Sequence, residues 1–410
     1  MNRQFLSLLW GETVAATGAR IALTLMPLIA VSLLHASTEA VGLLFATGLA
    51  APALFGIFGG GVIDRLAKRR VMVVAYAVTA LALALVPMAG AGAGASDQLS
   101  LGLLIAVNSV GAGLVAAAEI AQTSALPQLV TIDALAAANG RVSACMALAG
   151  IAAPGLVALV LATLNLSAAM AIDALIFAVA AALLMRLPRL AAPAPEPSTM
   201  QSMTARLTEG LRMLSADALL ASALRMMIAA RGLAALCLSL EAVFIVRHLG
   251  VPASWFALAF AIGGVGGIIG SIAAGVLASR FSLQNLLGGA LLVMGGARGA
   301  MSLLGGGPGS VALGFAACLL VLGLAGGLMN VGFMTALQTR MPTASIGRVF
   351  GTISTINAVA MSLGALAGGL LGASLGVRAT LMLAGCGFLI LGMVCWIAMK
   401  ARGAASVTSS

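Results

Sequence analysis

The sequence predicts an all-α polytopic membrane protein with twelve transmembrane helices in two parallel-related six-helix halves. Three observations predict it. First, 62% of the 410 residues are apolar and only 8% are charged, against roughly 25% charged in a soluble domain, so a water-covered fold of this size would lack charge for its surface. Second, apolar runs of about 20 residues recur, long enough for a hydrocarbon core of about 30 Å. Third, pieces of the first half return in the second. "LFATG" (44–48) matches "AFAIG" (259–263), and "GGVIDRL" (60–66) matches "GVLASRF" (275–281) at the same offset of 215. "GRV" (140–142) recurs at 347–349, each copy after a proline, Pro127 or Pro342.

Helices follow from the solvent. In lipid every backbone amide must be satisfied internally, which leaves helices or closed barrels. The period-2 alternation of a barrel is absent, and the runs are about twice the length of a barrel strand. The first half holds spans 1 to 6 at 5–34, 40–62, 71–91, 99–122, 140–163 and 168–187. The second holds spans 7 to 12 at 218–247, 254–278, 284–304, 309–338, 347–372 and 377–399. The domain reading is an N-terminal six-helix bundle (1–187), a linker (188–217), a C-terminal six-helix bundle (218–400) and a tail (401–410). The linker opens on "PAPEP" (193–197), followed by an amphipathic stretch (203–217) expected to lie at the membrane interface. No cleavable signal peptide is expected, because the first run is too long and holds Glu12 and Arg20.

Loop charge gives an orientation. One side collects Arg3, the cluster at 65–70, Arg141, Arg186, Arg189, Arg206, Arg212, Arg280, Arg340, Arg348, Lys400 and Arg402, and the other only Arg247 and Arg378. Both termini and the linker are therefore expected in the cytoplasm, in a bacterial inner membrane. The net charge of +10 is explained by these loops, and nucleic acid is not an expected partner. The five cysteines form no CxxC and no histidine stands at zinc-ligand spacing, so neither a metal site nor a disulfide framework is indicated. The phosphate-binding pattern G-x-x-x-x-G-K-[ST] occurs nowhere. No nucleophile–base constellation points to an enzyme, and no cofactor is called for.

"GGVIDRLAKRR" (60–70) resembles the signature between helices 2 and 3 of the major facilitator superfamily: Gly60, Asp64, Arg65, Lys68 and Arg69 fit, and Ala67 stands where the signature has glycine. "LLWGETVAATGARIALTLMPLIAV" (8–31), "SALPQLVTIDALAAANGRV" (124–142) and "MNVGFMTALQTRMPTASIGRVFGT" (329–352) resemble the branch holding macrolide-efflux proteins and the enterobactin exporter. The superfamily's antiporters often carry Gly-Pro-x-x-Gly-Gly in helix 5. Here Pro154 is kept, while Ala153, Val157 and Ala158 replace the glycines.

The resemblance implies that Asp64 meets the N-terminus of span 11 near Ser345–Arg348, where a carboxylate gains about 0.3–1 kcal/mol from the helix dipole. Gly60, Asp64, Arg65, Lys68, Arg69 and Arg348 then form a conformational latch. The bland alternative for the basic residues is a solvated loop. A charge at bilayer depth costs at least about 2.5–3.5 kcal/mol, so it faces protein or a wet cavity. Such charges are Glu12, Arg20, Glu119, Asp173, Arg225, Arg231, Glu241 and Arg298, six of them in spans 1, 4 and 7. Asn108 in span 4 and Asn330 and Gln338 in span 10 add polarity. The resemblance implies that spans 1, 4, 7 and 10 line a central cavity.

Glu12, Arg20, Asn108, Glu119, Arg231, Glu241, Asn330 and Gln338 are thus the expected substrate and proton pathway. Glu12 and Glu119 are the expected partners of the arginines and the expected proton carriers. Arg298 reads better as half of a structural pair, Arg225 as snorkelling to the interface, and Asp173 and Glu241 alternatively as lying near the outer surface in water. "GGVGGIIGS" (263–271) and "GALAGGLLG" (364–372) are expected to be close helix contacts.

The expected function is proton-coupled export of small amphipathic molecules, a drug or siderophore-like metabolite, by alternating access in a monomer. Uptake, lysolipid flipping, or a non-transporting receptor or assembly factor are the alternatives.

Overall fold

The computed structural model describes residues 3–91, 97–188, 203–277, 280–341 and 343–407. These form thirteen helices and, among the described residues, no strand. The first six are α1 (Arg3–Ser32), α2 (Thr38–Arg65), α3 (Lys68–Ala91), α4 (Asp97–Leu129), α5 (Ile132–Thr163) and α6 (Leu166–Leu184). α7 (Met203–Ala216) is the amphipathic helix of the linker. Six more follow: α8 (Ala218–Ala242), α9 (Ala253–Leu277), α10 (Leu283–Ser302), α11 (Pro308–Arg340), α12 (Thr343–Ser374) and α13 (Val377–Val407). A π-helical turn, Val243–His248, extends α8. "PAPEP", Ser279 and Pro342 lie outside the described residues.

Every expected span is a helix, and the boundaries differ where helix propensity outruns hydropathy. α5 starts at Ile132 rather than 140 because "DALAAAN" is rich in the best helix former. α4 continues through Pro127 to Leu129, and α13 runs on to Val407 through the alanine-rich stretch after Lys400. Among the described residues eleven helices are long and apolar enough to cross a membrane. α10, the ninth expected span, has the length, but Gln284, Asn285, Arg298 and its glycines dilute its hydropathy. Helix ends carry their own signals. Asn165 caps α6 by accepting from Ala168 N (2.8 Å), and Pro308 opens α11 where a missing N–H is harmless. Gly376, at φ 88°, closes the two-residue turn between α12 and α13, a backbone that side-chain-bearing residues resist.

The chain divides into two compact units: Met1–Met200 with Ala253–Ala261, and Gln201–Pro252 with Ile262–Ser410. Each has its own neighbour scheme, and the schemes correspond. In the N-terminal unit α1 touches α4, α5 and α6, and α3 touches α4 and α6. In the C-terminal unit α8 touches α11, α12 and α13, and α10 touches α11 and α13. α1 and α8, first in their series, are also the most buried spans. Their core sides hold Leu8, Leu25 and Leu28 on α1 and Leu220, Cys237 and Leu240 on α8.

The units differ in how their helices meet. In the C-terminal unit glycine opposes glycine. A methyl at Gly266 or Gly270 of α9 would strike the backbone of Leu320 or Leu324 on α11, and one at Gly323 the carbonyl of Gly263. Gly364 of α12 lies on Gly232 of α8, and Gly385 of α13 on Gly295 and Gly299 of α10. Both glycine stretches picked out in the sequence thus serve close helix approach, as small residues do in membranes. In the N-terminal unit the glycines receive side chains instead: Gly11 takes Leu184, Gly18 takes Phe177, Gly48 takes Asn108 and Gly113 takes Phe55.

α7 docks within the C-terminal unit on α8 and α12, with Leu214 buried and Gly210 against Thr352. The α2–α3 junction decides against the bland alternative for Lys68: only two residues separate these helices, so Lys68 falls in the first turn of α3, where it is 0% exposed and engaged by its surroundings rather than solvated. Arg69 is half-buried and Arg70 exposed. The side chains of Gly60, Asp64, Arg65 and Arg348 lie outside the described residues, and with them the latch.

Candidate functional site in the N-terminal unit

α1 brings Glu12 into the core of the N-terminal unit, 1% exposed. Its partner is Tyr76 of α3, whose hydroxyl donates to Glu12 Oε2 at 2.9 Å, while Oε1 has no partner. The Tyr76 ring stands 5.9 Å from that of Phe177 on α6, and Phe177 fills the notch left by Gly18. Glu119 of α4 acts electrostatically on both Glu12 and Tyr76, and Arg20, two turns below Glu12 on α1, acts on Glu119. Arg20 and Glu119 are both exposed. Two carboxylates, a phenol and a guanidinium thus converge from α1, α3 and α4.

Beside them lies a cavity of about 220 Å³, lined from α1, α2, α3, α4 and α6. Glu119, Asn108 and Thr79 are the polar side chains on its wall, and the remainder is apolar, with Phe45, Met26 and Phe177 among its larger groups. Asn108 Nδ2 donates to Leu44 O at 2.9 Å and so ties α4 to α2 across Gly48.

Asp173 of α6 decides between the two readings the sequence left open. A water-exposed outer position was the alternative for it, yet it is 0% exposed, close to Gly18, with neither oxygen partnered. Its place on α6 opposite a glycine of α1, rather than its distance along the span, decides its burial.

The C-terminal unit holds the other expected residues. Arg231 of α8 donates to Asn330 Oδ1 of α11 at 3.4 Å, so two residues singled out from sequence are brought together, and a neutral amide stands where a carboxylate was expected. Gln338 is exposed further along α11, and Arg225 is exposed on α8. Glu241 is 1% exposed and not at a watery surface. Arg298 of α10 donates to its Oε1 in a buried ion pair, and Met301 Sδ lies 3.7 Å from the same guanidinium. At the end of α11, Arg340 Nη1 bonds Asp217 Oδ2 at 2.9 Å, while Asp217 Oδ1 accepts from Leu219 N and Leu220 N to cap α8. The Leu220 N–H, and after it Arg340, hold the Asp217 carboxyl below the usual carboxylate range.

Sequence reasoning missed Tyr76 and Thr79. A signal was present for the first: Tyr76 is the single tyrosine of the chain and sits mid-span, where a hydroxyl must find a partner. Nothing in the sequence marks Thr79.

A family model described as Major Facilitator Superfamily matches residues 8–365. YfiS of Bacillus subtilis (strain 168), an uncharacterized MFS-type transporter, is 25% identical over 417 residues, covering 97% of this chain and 94% of YfiS. Among solved structures, the nucleoside transporter NupG aligns with a TM-score of 0.73 at 15% identity, over 98% of this chain and 100% of that one. A bacterial homologue of the iron transporter ferroportin in an inward-facing state gives 0.72 at 18% identity, over 96% and 98%. A bacterial homolog of the human lysosomal transporter Spinster, inward-facing and occupied, gives 0.73 at 14%, over 98% of each. At these identities the structures show a shared fold. With the family model spanning most of the chain, the long apolar helices and the repeated six-helix scheme have one account: the chain belongs to the Major Facilitator Superfamily and is a membrane transporter, not an enzyme.

Proposed function

We propose that this transporter is a proton-coupled exporter of small amphipathic molecules, working by alternating access. The supporting observation is the meeting, inside one helical unit, of a carboxylate on a hydroxyl (Glu12 on Tyr76) and a mostly apolar cavity with a second carboxylate on its wall (Glu119). A membrane-embedded carboxylate is the group able to take up and release a proton in a cycle, and the second carboxylate links that event to the cargo space. Arg231 and Asn330 are assigned to the pathway in the C-terminal unit. Glu241 is assigned to holding Arg298. The resemblance to the macrolide-efflux and enterobactin-exporter branch supports export. The loop charges support cytoplasmic termini in a bacterial inner membrane, with Asp64 and Arg348 as a latch between the halves. The fold relatives include a nucleoside transporter and a homologue of an iron transporter, so the fold does not choose the cargo.

Proteoliposomes with an imposed pH gradient test this reading. Wild-type protein should drive amphiphile flux and consume the gradient, and Glu12→Gln should uncouple the two. Undiminished coupling in both Glu12→Gln and Glu119→Gln would remove the proton assignment.

A further inference from the structure

We propose that the cavity of the N-terminal unit is built for a small organic ammonium ion, a protonated amine on an apolar body of about one ring. This rests on the reading above and names its cargo class. Glu119 is the one charged side chain on the described wall, joined only by the polar Thr79 and Asn108. Each of those two already spends a donor elsewhere. Thr79 Oγ1 donates to Ala75 O at 2.8 Å, and Asn108 Nδ2 donates to Leu44 O at 2.9 Å. Gly48, which lacks a Cβ, leaves room for that amide to lie flat on α2. What remains for the cavity is mostly acceptors, a carboxylate, an amide oxygen and a hydroxyl lone pair, beside one amide N–H of Asn108.

A ligand for such a wall must bring donors, and N⁺–H to carboxylate bonds are about twice as strong as neutral ones. An anion would meet Glu119 head on. A neutral body would shut the carboxylate away from water without a partner. Phe45 and Phe177 also line the cavity, and aromatic rings are groups that favour cations. Arg20 acts on Glu119 from α1, but no ion pair joins the two among the described residues, and Glu12 is held by Tyr76, so the Glu119 oxygens stay available. Size sets the body. The cavity of about 220 Å³ falls below the ~300–1,000 Å³ of drug-sized pockets.

The test uses the full chain purified in detergent, with no gradient, and three probes of one shape: 2-phenylethylammonium, 2-phenylethanol and 3-phenylpropionate. Equilibrium dialysis should show the ammonium bound at least about tenfold tighter than the alcohol, with the carboxylate weakest. Glu119→Gln should lower ammonium affinity about tenfold and leave the alcohol unchanged, Glu119→Asp should keep most of it, and Ala112→Phe should abolish both by filling the space. Each variant is compared at an unfolding midpoint matching wild type, so misfolding is seen separately. Equal binding of alcohol and ammonium, an unchanged affinity in Glu119→Gln or Ala112→Phe, or no ammonium binding at all overturns the proposal. The transport reading is judged independently, by gradient-driven flux of a wider amphiphile panel in proteoliposomes.

Discussion

Arg298→Met is the most informative single change in the C-terminal unit. It removes the guanidinium that donates to Glu241 Oε1 and leaves a carboxyl 1% exposed with nothing opposite it. Breaking a buried pair from one side typically destabilises by about 3–5 kcal/mol, and Glu241→Leu should do the same from the other side. The double replacement behaves differently. Glu241 Oε2 and Arg298 Nε have no partner even in the intact pair, and an orphaned buried polar group costs about 1–3 kcal/mol. Glu241→Leu with Arg298→Met removes both orphans and both desolvation penalties, so it should recover at least about 3 kcal/mol over either single change and come near or above wild type. Unfolding in mixed micelles of rising dodecyl sulfate fraction, followed by the fluorescence of Trp10, Trp255 and Trp396, measures all four proteins. Singles that lose less than about 1 kcal/mol, or a double as weak as its parents, would refute this account of the pair.

Gly364→Ala and Gly266→Ala, whose methyls run into the backbone of Gly232 and Leu320, should each lose about 1–3 kcal/mol through overpacking, whereas Gly326→Ala, with nothing within 4 Å, should be neutral or gain up to about 1 kcal/mol from helix propensity; micelle unfolding separates them. Asp217→Ala should lose about 0.5–2 kcal/mol with the α8 cap, while Asp217→Asn keeps the cap and gives up only the half-exposed bond to Arg340, about 0.2–1 kcal/mol. Because the folded Asp217 carboxyl titrates lower than an unfolded one near 3.9, its contribution is fully present above about pH 4 and fades as the pH falls through the lower folded value, so wild type and Asp217→Ala should converge only in that acid range. Tyr76→Phe should weaken coupling in the pH-gradient assay with little change in unfolding midpoint, and equal coupling would take Tyr76 out of the pathway. Asp64→Asn should slow turnover without unfolding the protein, and wild-type flux in that variant would dispose of the latch.

The helices were legible because lipid enforces long apolar runs, and turn residues such as Gly376 and Pro308 punctuate them. The glycine contacts of α9 and α12 were legible for a similar reason, since bare backbone on one stripe has few other uses in a membrane. What the sequence withheld was pairing. Arg231 and Asn330 were both marked as polar residues at depth, yet 99 positions apart nothing local joins them. For Glu241 and Asp173 the sequence left depth and watery surface both open, and burial was decided by facing helices, Arg298 on α10 for one and the Gly18 notch on α1 for the other. Loop charge stayed open as the alternative for Lys68 because a two-residue connection cannot be told from a longer one by composition.

Seams thinned by glycine have a mechanical consequence. Where α8 lies on α12, α9 on α11 and α10 on α13, backbone meets backbone at Gly364, Gly323 and Gly385, and few side chains stand between the helices at those points. Each couple therefore behaves as a welded plank. Flexing of the C-terminal unit is then expected first at the three joints between planks, where fewer glycines bring backbone onto backbone.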